Sequence, residues 1–165
     1  MYNIIYMKRD NLDNIDIKIL SLLQENGRIT NVDLADKVDL SAPPCLRRVR
    51  SLEKNGFIKG YHADLQPEKL GFEVTVFAMV GLHNQAEHDL KSFEERVLSL
   101  PYVRECHMLN GEIDFILKCV APDLSTFQIF LTKELTSAPN VASVKTSLTI
   151  RQSKQMPGIP IDLMD

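Results

Sequence analysis

Residues 27–61 read GRITNVDLADKVDLSAPPCLRRVRSLEKNGFIKGY, and the reading of this stretch decides the fold of the first half of the chain. Thr30 stands where its hydroxyl accepts a free backbone N–H, and Asp33, three residues on, reaches back toward the same amides, the pattern of a capped helix start. Leu34, Ala35 and Val38 then share one face. Asp39-Leu40-Ser41 forms the turn, with Ser41 placed to cap the next helix. Pro43 and Pro44 fall in its first turn, where missing amide hydrogens cost least. Cys45, Val49 and Leu52 recur at helical spacing and define a core stripe, which leaves Arg47, Arg48, Arg50, Ser51 and Lys54 outside, and Asn55-Gly56 ends the helix. Two amphipathic helices joined by a tight turn, the second basic on its outer side, form the helix-turn-helix pattern.

A basic helix face taken alone is equally consistent with a solvated surface. Three features favour DNA: the arginines cluster on the second helix of the pair, a capped partner helix precedes them, and Lys59 follows in an apolar segment, Phe57 to Leu65, that reads as a wing strand. Ser41, Pro43 and Cys45 lie near the leading end, where base edges are reached. Arg47, Arg48, Arg50, Lys54 and Lys59 are candidates for phosphate or guanine contacts. Two copies of the helix would read an imperfect palindrome in double-stranded DNA, with half-sites about one helical turn apart.

The net charge of −3 argues against nucleic acid only until its distribution is examined. Residues 1–60 hold ten Lys/Arg against eight Asp/Glu, net +2, and the remaining 105 carry nine against fourteen, net −5. The basic charge is local, which predicts a salt-dependent footprint of few phosphates per protomer. Three cysteines, Cys45, Cys106 and Cys119, without C-x-x-C spacing fit a reducing, cytoplasmic setting and small buried apolar roles. No run approaches the roughly 20 apolar residues of a membrane helix. Residues 1–11 are too short for a signal peptide and read as a flexible extension.

Upstream of the pair, Asp13 caps a helix whose Ile15, Ile19, Leu22 and Leu23 form a core stripe ending at Asn26-Gly27. The DNA-binding domain thus spans 12–65. Pro67 and Gly71 break periodicity over a linker at 66–72, and a second domain covers 73–154, with a tail at 155–165. In that domain Glu73–Gly81 reads as a strand apolar on both faces, and Ala86, Leu90, Phe93 and Val97 as a helix ending before Pro101. Tyr102–Leu109 and Glu112–Val120 read as strands joined by an Asn110-Gly111 hairpin turn. A helix carrying Leu124, Phe127, Leu131 and Leu135 follows, then a strand at Val141–Ile150. The fold class is α+β: a winged helix-turn-helix followed by a ferredoxin-like β-α-β-β-α-β domain. Two helices cover one sheet face, so the apolar residues on the other predict a homodimer in which two sheets meet.

GRITNVDLADKVDLS, PPCLRRVRSLEKNGFIKGY and the later ECHMLNGEIDFILK resemble the leucine-responsive/asparagine-synthase regulator (Lrp/AsnC) family of transcriptional regulators, and the resemblance runs from Leu12 to about Lys154. It implies dimers built through the second domain, assembling further into tetramers or octamers, and an amino-acid effector bound between protomers. On spacing alone, Asn110-Gly111 is a hairpin turn with an exposed carboxylate nearby. The resemblance makes it an effector loop, with Leu109, Asn110, Gly111 and Asp114 at the matching positions and Asp114 pairing with an ammonium group. Apolar walls are expected from Met108 and Leu124, and hydroxyl donors for a carboxylate from Thr136, Ser147 or Thr149. Ser147-Leu148-Thr149 departs from the bulkier stretch of family members that respond to leucine, so leucine and another small amino acid both stand as the effector.

No metal or other cofactor is expected. A metal or thiol enzyme would have to be built from Cys106, His107, Cys119, His62, His83 and His88, yet adjacent strand residues such as Cys106 and His107 point to opposite faces. No nucleophile elbow or H-x-x-x-H spacing is present. A non-enzymatic binding module without specific DNA recognition is the remaining alternative, and the arginine cluster distinguishes the regulator from it.

Overall fold

The structure, a computed structural model, describes residues 12–161 and divides the chain into two compact units: 1–64 together with 154–165, and 65–153. The 1–11 extension and the last four residues of the tail lie outside the described residues.

The first unit is built on three helices, α1 (Asn14–Glu25), α2 (Asn31–Lys37) and α3 (Ala42–Lys54). Each begins where the chain offers a helix start. Asp13 accepts the Asp16 N–H at 2.9 Å while Asp16 accepts the Asp13 N–H at 3.2 Å, a reciprocal capping box. Thr30 accepts the Asp33 N–H at 3.1 Å, but the Asp33 carboxylate takes the Thr30 hydroxyl proton at 2.6 Å rather than a backbone amide. At α3 the Ser41 side chain makes no capping bond. In place of the expected Ser41 cap, Pro43 and Pro44 leave fewer amides to satisfy; separately, Asn31 Nδ2 donates to the Ala42 carbonyl at 2.9 Å and ties α2 to α3. Ile19, Leu34, Ala35, Val38, Cys45, Val49 and Leu52 make one continuous core.

The segment expected as a wing strand, Phe57–Leu65, joins no ladder. A strand needs a neighbour for its backbone groups, and this unit of helices offers none; the wing is an extended arm. Returning chain attaches to α1 instead. Gln24 Nε2 donates to the Ile159 carbonyl at 2.7 Å, the Ile159 N–H donates to Gln24 Oε1 at 2.9 Å, and Ile161 is buried.

The second unit opens with a 3₁₀ turn, Glu68–Leu70, closed by Gly71 in the left-handed region. It then runs β1 (Val74–Leu82), α4 (Glu87–Leu98), β2 (Val103–Met108), β3 (Phe115–Ala121), α5 (Leu124–Phe130), a π-helical turn (Leu131–Leu135) and β4 (Val141–Leu148). The strands form one antiparallel sheet in the order β2-β3-β1-β4, the ferredoxin-like arrangement. Val76, Ala78, Val80 and Leu82 of β1 alternate with Phe115, Leu117, Cys119 and Ala121 of β3 to bury one face beneath Phe93, Val97, Phe127 and Phe130. The opposite face carries Phe77 and Met79 beside Ile116 and Val120, interspersed with Lys118, Lys145 and Ser147. On that face the Lys118 Nζ donates to Glu105 Oε1 at 2.8 Å.

Candidate DNA-binding surface and effector site

The helical phase of α3 sorts the basic residues into two groups. Pro43, Arg47, Arg50 and Lys54 point away from the core stripe and are exposed, as is Lys59 on the arm. None of these four cations enters an ion pair among the described residues. Arg48 behaves differently. Its Nη1 stands 2.8 Å from Asp13 Oδ2 and 2.8 Å from Asp16 Oδ1, with the side chain 30% exposed against 51% for Asp13 and 12% for Asp16. The N-terminal turn of α1 therefore holds this guanidinium. The Asp16 backbone N–H, followed by Arg48, holds the Asp13 carboxyl below its ordinary range, and the two carboxylates raise the guanidinium in return.

Two of the expected DNA contacts are thus corrected by packing. Arg48 is committed to α1 as an interhelix clamp. Cys45, 0% exposed in the core, cannot reach a base edge, and burial raises its thiol pKa. Ser41 and Pro43 remain exposed at the leading end of α3. Two exposed apolar residues join this surface without having been expected: Leu46, 37% exposed beside Arg47, and Val32 on α2. The available signal was that neither belongs to the core periodicity of its helix. Glu53, near the end of α3, receives the Tyr61 hydroxyl at 3.0 Å, which fastens the arm to the helix; burial, then Glu53, pushes the phenol up to about 12.

In the second unit the expected Asn110-Gly111 two-residue hairpin is corrected to a wider loop. β2 stops at Met108, β3 starts only at Phe115, and neither Asn110 nor Gly111 takes the positive φ that a tight primed turn requires. Asp114 sets the loop's width. Its N–H donates to the Val80 carbonyl at 3.0 Å, its carbonyl accepts the Leu109 N–H at 2.8 Å, and its carboxylate Oδ2 accepts the Leu82 N–H at 2.7 Å. These bonds stitch the loop to the end of β1 and leave the side chain in an 8% exposed residue. Asp114 is an anchor here, and the ammonium-pairing role expected of it is corrected accordingly: the carboxylate faces the protein backbone. Leu109, Asn110 and Gly111 stay exposed at the tip, and a Cβ on Gly111 would meet nothing within 4 Å.

The remaining effector candidates divide between two ends of the sheet. Met108 pairs with Phe115 and Val80 with Val144, so the loop, Leu82 and the start of β4 share one end. The turn after the second helix comes back to it: Asn140, at φ 65, binds both the N–H and the carbonyl of Asn84, and its own carbonyl accepts the His83 N–H. Asn140 is a supporting residue that the Pro139-Asn140 dipeptide signalled only as a turn. Thr136, just before that turn, spends its hydroxyl proton on the Leu131 and Thr132 carbonyls. Ser147 lies on the open sheet face across from Phe77, and the Thr149 N–H bonds Thr75 at the far end, where Leu124 begins α5. Val80 and Thr75 are five residues apart on one strand, roughly 17 Å. Within one chain the Ser147, Thr149 and Leu124 group and the loop do not meet. The Thr149 Oγ1 is buried without a hydrogen-bond partner among the described residues.

Asp114→Ala would leave the Leu82 N–H without its acceptor in a buried setting, at a cost of about 2 kcal/mol. The expected outcome is a lowered thermal midpoint for the second unit with the helical unit unchanged, read by hydrogen exchange of β1 and α1 amides. Equal protection of the Leu82 amide in both proteins would remove the anchor role.

Comparison with known proteins agrees with this architecture. Residues 12–59 match the winged helix-turn-helix DNA-binding family and residues 75–159 the Lrp/AsnC ligand binding domain. The leucine-responsive regulatory protein of Rhizobium meliloti is 55% identical over 146 residues, covering 88% of this chain and 94% of that one. The Bkd operon transcriptional regulator of Pseudomonas aeruginosa is 44% identical, over 85% and 92%. Among solved structures, a Neisseria meningitidis transcriptional regulator in complex with L-Met superposes with a TM-score of 0.88 at 36% identity, covering 93% of this chain and 99% of that one. The basic helix-turn-helix, the four-stranded sheet and these matches over nearly the whole length place the chain in the Lrp/AsnC family of transcriptional regulators.

Proposed function

We propose that this regulator places α3 in the major groove of an imperfect palindrome, with Arg47, Arg50 and Lys54 toward the duplex, Ser41 and Pro43 at the leading end, and Lys59 on an adjacent phosphate. The observation that carries the reading is the outward row of α3: its exposed cations are unpaired among the described residues, while the one arginine turned aside is held by α1. Two protomers meet through the open sheet face, where Phe77, Met79, Ile116 and Val120 offer apolar area, and larger assemblies, tetramers or octamers, build on that dimer. The effector is a small apolar amino acid, leucine or methionine, seated at the exposed loop tip of Leu109, Asn110 and Gly111 with Met108 as an apolar wall. A second protomer completes the site, because one chain does not bring the loop and the Ser147, Thr149 and Leu124 group together. The L-Met complex of the Neisseria relative supports this class of ligand. The chain acts by binding, in the cytoplasm where its DNA lies. In support, Cys106 faces the helices across from Leu117 while His107 faces the open side across from Ile116, so the two share no site.

The test is fluorescence anisotropy of a labelled fragment from upstream of the protein's own gene against random DNA, at two salt concentrations, with each amino acid in turn. Salt-dependent, preferential binding that shifts with one amino acid supports the regulator and names the effector. Absence of binding to any fragment would leave a bare binding module.

Leu46 adds a base-specific expectation. An apolar side chain beside Arg47 on a groove-facing surface suits a thymine methyl. Replacing thymines of a selected site by uracil, one at a time, is expected to weaken binding several-fold at one position per half-site, and Leu46→Ala to abolish that difference. Discrimination that persists in the variant would assign the methyl contact to another residue.

A further inference from the structure

The helical unit carries a feature that DNA binding through α3 does not use. A cleft of about 620 Å³ lies between α1 and the arm, walled by Ile17, Leu20, Leu23, Phe57 and Tyr61, with Gly158, Ile159 and Ile161 of the returning chain along one side. The contact has the character of peptide recognition. The Gln24 carboxamide donates to the carbonyl and accepts from the N–H of the same residue, Ile159, so it pairs with backbone as a neighbouring strand would. Gly158 sits at φ 65, which favours glycine, and a Cβ there would push the Gln24 carboxamide out of its place against Ile159. Ile161 is buried at 6% exposure although its flanking residues from 151 to 160 are all exposed. A second attachment joins Gln155 Nε2 to Asp64 Oδ2 at 3.4 Å, where the chain leaves the unit.

We propose that α1 and the arm form a recognition surface for the chain's own C-terminal segment, Gln155–Ile161, which walls one side of this cleft, and that the seated segment holds α3 in the geometry that binds DNA. The second half of the statement rests on the reading of α3 given above. Contacts lead from the cleft to α3 by two routes. The α1 helix that forms one wall grips Arg48 through Asp13 and Asp16, and the arm that forms the other wall binds Glu53 through Tyr61. Lys59, assigned to a neighbouring phosphate, lies on the same arm and also lines the cleft. Removing the segment uncovers more of the apolar wall of α1 and leaves the arm with its Tyr61–Glu53 bond but no ladder to hold it. Residues 149–154 join the end of β4 to the segment, so the last strand of the second unit and the brace of the helical unit are continuous chain.

The test uses the full chain, the full-length variants Gly158→Val and Gln24→Ala, and a chain ending at Lys154, with the labelled peptide QMPGIPI added in trans. Expected are saturable binding of the peptide to the shortened chain, no binding of a peptide carrying Gly158→Val, and faster hydrogen exchange of α1 amides in both full-length variants. Roughly tenfold weaker DNA binding by those variants is also expected, with the oligomeric state unchanged, and restoration of DNA binding to the shortened chain by the peptide. If the shortened chain does not fold, the full-length variants decide through hydrogen exchange and DNA affinity. Normal α1 protection in Gly158→Val, or a folded shortened chain that does not take up the peptide, would overturn the recognition site. Altered exchange with DNA affinity intact would overturn the coupling to α3. A full chain that binds no DNA would instead overturn the reading of α3, and peptide uptake and α1 exchange would still judge the cleft.

Discussion

Arg47→Ala combined with Arg50→Ala is expected to lower specific DNA affinity at least about a hundredfold while leaving the fold intact. Each arginine directed at a guanine edge contributes about 1–3 kcal/mol, and a dimer presents two copies of each. Both side chains are exposed and unpaired among the described residues, so their removal leaves no buried charge behind, and the thermal midpoint should move little. Salt dependence separates phosphate binding from base reading. Each phosphate that the variant no longer neutralises should flatten the slope of log affinity against log salt by about 0.9, whereas removing a base-reading side chain should keep the slope and relax sequence preference. Single variants measured on the selected site and on random DNA therefore assign each arginine. Affinity within twofold of the parent on both DNAs would place the reading surface elsewhere.

Arg48→Ala should lower stability and affinity together, by a different route. Its removal strands Asp16, a residue with 9% exposure, without the cation it faces. The cost is about 2 kcal/mol, a shift of roughly 10 °C in the midpoint of a unit this size. The Asp13 arm adds little, because half of that side chain lies in water and solvent screens the pair. DNA affinity falls because α3 loses its attachment to α1, yet the salt slope should stay at the parent value; a flattened slope would show that Arg48 touches phosphate after all. The pH dependence has a defined sign. The Asp13 carboxyl is held below its ordinary value in the folded state, so its contribution is complete above the unfolded value of about 4 and disappears as pH falls through the lower folded one. The Asp16 backbone N–H, the larger cause, survives in Arg48→Ala, so only the smaller part due to Arg48 separates the two proteins: the gap in denaturation midpoint that comes from Asp13 is complete above about pH 4 and closes as pH falls through the lower folded value.

The parts of this protein that sequence alone determined are those governed by interactions a few residues long. Caps at Asp13 and Thr30, the stripes of Ile19, Leu34 and Cys45, and the alternation of Val76, Ala78 and Val80 each state their element, because helix starts, helical faces and strand faces depend on neighbours at i+2 to i+4. The order of those elements, with the crossover rules, then leaves the ferredoxin-like sheet as the natural closure. Tertiary structure alone decided what the polar groups do. Arg47 and Arg48 are neighbours in one basic run, and only the arrival of α1, more than thirty residues back, turns one into a clamp and leaves the other exposed. Asn110-Gly111 has the composition of a tight turn, but the bonds of Asp114 to Val80 and Leu82 outweigh that local preference and open the loop. The C-terminal segment looks like an appendage because Pro157, Gly158 and Pro160 carry no periodicity, and its place follows from a contact with Gln24 across 135 residues of chain. Local preference is additive along the chain, whereas the partner of a charge or a backbone amide is chosen by whichever distant surface folding brings against it.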